Sequence, residues 1–106
     1  MDRTLEDLAT IVEREVEDYA RGGSWQTSIY ALSDVAHQCY AVLAVPDYPR
    51  QFKAGIVVMA RVENDLVFIE HDITDRPLLE ELLRVGIPRE QIICTYLGET
   101  APTTDE

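Results

Sequence analysis

The sequence predicts an α+β fold in two layers: a mostly antiparallel sheet of about five strands with two helices on one face, in the order α-β-β-β-β-α-β. Three observations carry this expectation. Apolar residues near the start of the chain recur at spacings of three and four, which places them on one helical face. A long apolar run at 52–62 is followed by Asn64-Asp65 and a second run at 66–71, the pattern of a tight hairpin. A leucine-rich segment then ends in Gly86-Ile87-Pro88 and leads into a short apolar run, which reads as helix followed by strand.

The first helix is expected to bury Leu5, Leu8, Val12, Val16 and Tyr19 and to leave Glu6, Asp7, Glu13, Glu15, Glu17 and Asp18 in water. Thr4 and Asp7 have the spacing of a capping box, and Gly22-Gly23 supplies a stop. Residues 25–32 and 38–45 read as strands, with Ser33-Asp34 opening the turn between them. Two closely spaced prolines make Pro46-Asp47-Tyr48-Pro49 a loop. After the hairpin, Thr74 or Asp75 can cap a second helix whose first turn tolerates Pro77. Leu78, Leu79, Leu82 and Leu83 form its buried face, and Glu80, Glu81 and Arg84 its exposed one. Residues 92–96 form the last strand. The domain is expected to span 1–97, with a polar, frayed tail at 98–106.

The chain has 106 residues, of which 46% are hydrophobic and 27% charged, the balance of one globular domain. Its apolar runs fall short of the roughly 20 residues a membrane span needs. The charged start has no signal-peptide core, so the expectation is a cytoplasmic protein that does not enter a membrane. Cys39 and Cys94 lack metal-site spacing and read as strand thiols, and neither a metal nor a cofactor is implied.

Charge is the most informative part of the composition. Twenty acidic residues stand against nine basic ones, for a formal net charge of −11. Duplex binding draws much of its affinity from cations that neutralise phosphates. The nine basic residues here are scattered along the sequence, so direct DNA binding is not expected. A protein partner is the better electrostatic complement.

Glu70-His71-Asp72, with Asp75 beyond, is the one polar cluster that invites a catalytic reading. Strand alternation sends Glu70 and His71 to opposite faces, and no nucleophile or phosphate-binding glycine loop stands beside them. Asp72, Thr74 and Asp75 read more simply as a turn and helix-cap motif.

Several stretches together resemble the XisI family. The run 67–75, Val-Phe-Ile-Glu-His-Asp-Ile-Thr-Asp, is similar to the family's apolar strand running into Asp-Gly-Thr-Glu. The run 82–93, Leu-Leu-Arg-Val-Gly-Ile-Pro-Arg-Glu-Gln-Ile-Ile, resembles its Gly-Ile-Pro segment. Asp34, Tyr40, Gly55, Gly86 and Pro88 fall at family-motif positions, as do Val45 and the helix end Asp18-Tyr19-Ala20. The chain departs from the family pattern at Pro46-Asp47, Gln51-Phe52, Met59, Ile73 and Tyr96-Leu97. The resemblance implies a controlling factor of DNA-element excision that associates with a XisH-like, nuclease-fold protein.

Three functions follow as expectations. The first is a non-catalytic accessory factor bound to a XisH-like partner. The second is an antitoxin-like acidic inhibitor of a nuclease. The third is a small enzyme using His71, Asp72 and Asp75. Apolar side chains on both faces of the hairpin further predict an interface, either a homodimer or a heteromeric complex. Tyr48, Val57, Met59, Val67 and Ile69 are its candidate residues.

Overall fold

A computed structural model describes residues 7–21, 27–47 and 53–101. Leu5, Thr4, Gly22-Gly23, Trp25, Tyr48, Pro49, Phe52 and residues 102–106 lie outside the described residues. The elements are α1 (Leu8–Asp18), β1 (Thr27–Asp34), β2 (Cys39–Pro46), β3 (Gly55–Glu63), β4 (Leu66–Asp72), α2 (Leu78–Arg84) and β5 (Ile92–Cys94). Short 3₁₀ turns flank β5 at Arg89–Gln91 and Thr95–Leu97. The sheet runs β1-β2-β3-β4-β5, so the β3–β4 hairpin lies inside it. The first three pairings are antiparallel and the last, β4 with β5, is parallel. A parallel neighbour requires a crossover, and α2 supplies it.

α1 begins at Leu8 because the Asp7 carboxylate accepts the Thr10 amide at 2.9 Å. Hydrogen bonding from the Thr10 side chain, and then from its amide, holds the Asp7 carboxyl below its ordinary range. Val12 and Val16 are fully buried against β2 and β3. Asn64 and Asp65 both take positive φ, 55° and 63°, in the two-residue loop that joins β3 to β4. Those angles match a type I′ turn, whose twist suits a hairpin. Pro46 is the terminal residue of β2, paired with Thr27, rather than part of the following loop.

α2 ends in a Schellman motif. The Ile87 amide donates to the Leu82 carbonyl, the Gly86 amide donates to the Leu83 carbonyl, and Gly86 has φ 103°. Leu82 and Ile87, the apolar pair that accompanies this motif, are both in the core. Gly-Ile-Pro thus has a mechanical role: left-handed glycine, core isoleucine, then a proline that cannot extend the helix. Leu78 and Leu82 are fully buried, while Leu83 faces solvent.

The expectation that Glu81 is exposed is wrong. It is 5% exposed, because Arg76 and Arg84 both reach its carboxylate. Arg76 also lies over the Tyr19 ring at 4.3 Å and reaches Asp18 at 3.4 Å, so this one side chain ties α1 to α2. The Tyr19 hydroxyl donates to the Arg76 carbonyl, and burial pushes its phenol well above the ordinary range.

The segment after β5 is fixed as far as it is described. The Glu99 carboxylate accepts the Cys94 amide at 2.9 Å and Arg89 at 2.6 Å, and the Glu99 amide donates back to the Cys94 carbonyl. Among the described residues, no helix is long and apolar enough to cross a membrane.

Candidate protein interface on the open face of the sheet

Both helices lie on one face of the sheet. Beneath them sit Tyr40, Val42, Val58, Ala60, Val62, Val67, Ile69, Ile92 and Cys94, all buried. The opposite face is set by two breaks in strand register. Val42 pairs with Val58 and Leu43 with Ile56, which leaves Val57 as an extra residue. Met59 pairs with His71 and Ala60 with Ile69, which leaves Glu70 extra. An unpaired residue of this kind resets the alternation of side chains along a strand.

These two bulges overturn the expected grouping. Val57 turns toward the helices beside Val58 and packs against the core. Val67 and Ile69 are 0% exposed and belong to that same core, so neither can contribute to an open surface. Of the five candidate interface residues, Met59 remains on the open face and Tyr48 lies outside the described residues. Glu70 and His71, expected on opposite faces, share the open face because the bulge sets both against Met59.

The open face has two halves. Over β1, β2 and the start of β3, paired positions bring Tyr30 to Leu43, Leu32 to Ala41, Val45 to Ser28, and Ile56 to Leu43. Tyr30 is 51% and Leu32 52% exposed, and Val45 and Ile56 are also exposed. Met59 and Ala41 continue the patch inward as a cross-strand pair. Over the other half, Arg61 stacks on Phe68 at 4.4 Å and is held by Glu70 at 2.8 Å and Glu63 at 2.5 Å. The Thr95 hydroxyl stands 2.7 Å from Glu70. Hydrogen bonds to the two carboxylates keep the Arg61 guanidinium above its ordinary range. Phe68 is buried under this network, so the polar half is closed by the chain's own side chains, while among the described residues nothing closes the apolar half.

The cap motif is built differently from the sequence reading. Asp72 leaves the sheet on the helix side. One of its oxygens accepts the Thr74 amide at 2.9 Å and the Thr74 hydroxyl at 2.6 Å. The other accepts the Leu78 amide, the first of α2, at 2.7 Å. The cap is therefore Asp72, reaching six residues forward. Thr74 supports it, Pro77 is the residue before the helix, and Asp75 is exposed. Among the described residues, no hydrogen bond joins His71 to Asp72 or Asp75. Among the described residues, no group of three or more His, Cys, Asp and Glu stands close enough to hold a metal. Cys39 is half-buried and Cys94 buried, both as free thiols, and burial raises both pKa values.

The other motif positions are structural. The Asp34 carboxylate accepts the His37 amide at 3.2 Å and meets its imidazole at 2.9 Å, which fixes the β1–β2 turn and holds the Asp34 carboxyl below its ordinary range. Tyr40 is core, and Gly55 opens β3 with free space where a Cβ would sit. Arg61, Arg76 and Glu99 were missed in the sequence. A lone basic or acidic residue in an acidic chain carries no signal that it will cross between elements.

The described residues form a two-layer α+β domain with both helices on one face of the sheet. Residues 1–104 match the model of the XisI protein family, and the chain belongs to that family. Two solved structures share the fold. One is a XisI-like protein from Anabaena variabilis, 20% identical, covering 81% of each chain with a TM-score of 0.72. The other is the fdxN element excision controlling factor XisI from the same organism, 19% identical, covering 82% of this chain and 83% of that one, with a TM-score of 0.59. No curated protein matches.

Proposed function

We propose that this protein is a non-catalytic accessory factor in the control of DNA-element excision, and that it works by binding a XisH-like, nuclease-fold protein. The observation that carries the association is the apolar half of the open face. Tyr30, Leu32, Val45 and Ile56 stand there without a covering helix, among the described residues. Contiguous apolar surface of this kind marks protein interfaces. The nature of the partner and the link to excision rest on family membership and on the name of the Anabaena neighbour. The acidity of the chain is what a basic partner surface would complement.

A non-catalytic role is supported by the uses to which the polar residues are put. Asp72 caps α2, Glu70 holds Arg61, and His71 stands apart from both Asp72 and Asp75 in hydrogen bonding. Co-expression with the XisH-like protein tests the proposal. The two should co-purify and stay together at micromolar concentration, and two proteins that elute separately would contradict it.

A further inference from the structure

The two edges of the sheet are treated very differently. An exposed edge offers unpaired amides and carbonyls, which proteins usually guard with short strands, charges, proline or a covering segment. The β5 edge is guarded. The strand is three residues long and turns at once into a 3₁₀ segment. Glu99 engages both the amide and the carbonyl of Cys94.

Among the described residues, β1 has neither a proline nor a covering segment. It runs eight residues, Thr27–Asp34, in unbroken register with β2 and without a proline or a basic residue. Its single charge is Asp34 at the last position. Residues 30–34 are exposed, and among the described residues no strand pairs with the outer side of β1.

The geometry points to a second copy of this chain as the occupant of that edge. The two β1 strands pair antiparallel about a two-fold axis through Ala31. Cross-strand partners share a face of the sheet, so a symmetric pairing must set even-numbered positions against even-numbered ones. The register centred on Ala31 does so. It places Tyr30 of each copy against Leu32 of the other, and Asp34 against Ser28. Tyr30 and Leu32 meet as an apolar pair, and Asp34 of each strand meets a Ser28 whose hydroxyl donates to Asp47 at 3.2 Å.

A register centred on Leu32 would instead press Asp34 onto Tyr30. The pairing is isologous and therefore closes at two copies. The guarded β5 edge prevents further growth. The product is a ten-stranded sheet whose two open faces lie side by side. This inference does not depend on the partner-binding reading.

Ala31 is exposed and pairs with Val42 on the helix side of the sheet, away from the open face. The experiment measures the solution mass of the native chain, of Ala31→Lys, of Ala31→Glu, and of an equimolar mixture of the two variants. Circular dichroism verifies that each variant is folded. The native chain should run at twice its 12.0 kDa mass. Each variant alone should run as a single chain, because like charges meet at the axis, and the mixture should regain the doubled mass. A native chain of single mass at every concentration would overturn the inference. So would an undiminished Ala31→Lys dimer, or a mixture of folded variants that stays at single mass. Because Ala31 lies off the open face, a dimer that fails to bind a XisH-like protein would count against the proposed function alone.

Discussion

On the helix side of the sheet, Val42, Val58, Val67 and Ile69 have no surface left to water. On the other side, β1, β2 and β3 carry Tyr30, Leu32, Val45 and Ile56, which remain exposed. Both sets are apolar and both sit in well-paired strands. Among the described residues they differ in what lies above them: two helices on one side, and on the other the Arg61–Glu63–Glu70 network over Phe68. Burial within the chain accounts for the first set through stability. The second set adds little to the folded state of a single chain, and the proposed recognition role rests on that difference. Substitutions on the two sides should therefore separate into stability effects and binding effects.

The largest expected stability effect is in the helix layer. Leu82→Ala empties a fully buried site and should cost about 2–5 kcal/mol, measured by denaturant unfolding. Its neighbour Leu83 is 40% exposed, and Leu83→Ala should stay within about 0.5–1 kcal/mol. Equal costs at the two sites would mean that α2 does not pack as described. Asp72→Ala comes next. It strands the Thr74 and Leu78 amides at the start of α2 and should cost about 1–2 kcal/mol. A loss of this kind in stability, with partner affinity unchanged in the folded variant, would fit a cap and not a catalytic group. Gly86→Ala forces a side chain into the left-handed region at φ 103° and should cost about 1 kcal/mol.

The covered side was largely legible in the sequence, and the open side was not. Element order followed from periodicity, the hairpin from Asn64-Asp65, and the end of α2 from Gly86-Ile87-Pro88. Strict alternation misassigned Val57, Val67, Ile69 and the Glu70–His71 pair, because two bulges reset the faces within β3 and β4. A bulge is chosen by how neighbouring strands fit, and neither Val57 nor Glu70 is a glycine that would have announced one. Glu81 read as solvated because helical periodicity cannot foresee two arginines converging on one carboxylate. Asp72 was placed in the right motif, but its reach to the Leu78 amide spans a turn whose shape only the fold defines.

A smaller effect concerns pH. Hydrogen bonds hold the Glu99 and Asp34 carboxyls below their ordinary values of 4.5 and 3.8, from the Cys94 amide in one case and from His37 in the other. A depressed folded-state pKa contributes stability that is fully present above the unfolded value and is lost as pH falls through the folded one. Thermal stability should therefore decline below about pH 4.5. Glu99→Gln should flatten part of that decline, and an acid limb identical to that of the native chain would remove Glu99 from the account.

The most direct test of the open face is a calorimetric titration of the XisH-like protein with three forms of this chain: native, Val45→Asp/Ile56→Asp, and Glu80→Lys. Val45 and Ile56 are exposed on the open face, and Glu80 is exposed on α2. The double variant should retain native stability and lose at least about 2 kcal/mol of binding, roughly 30-fold in affinity, as interface centres do when truncated or charged. Glu80→Lys should bind nearly as the native chain does. Native affinity in the double variant, with binding lost in Glu80→Lys, would place the interface on the helices and contradict the account.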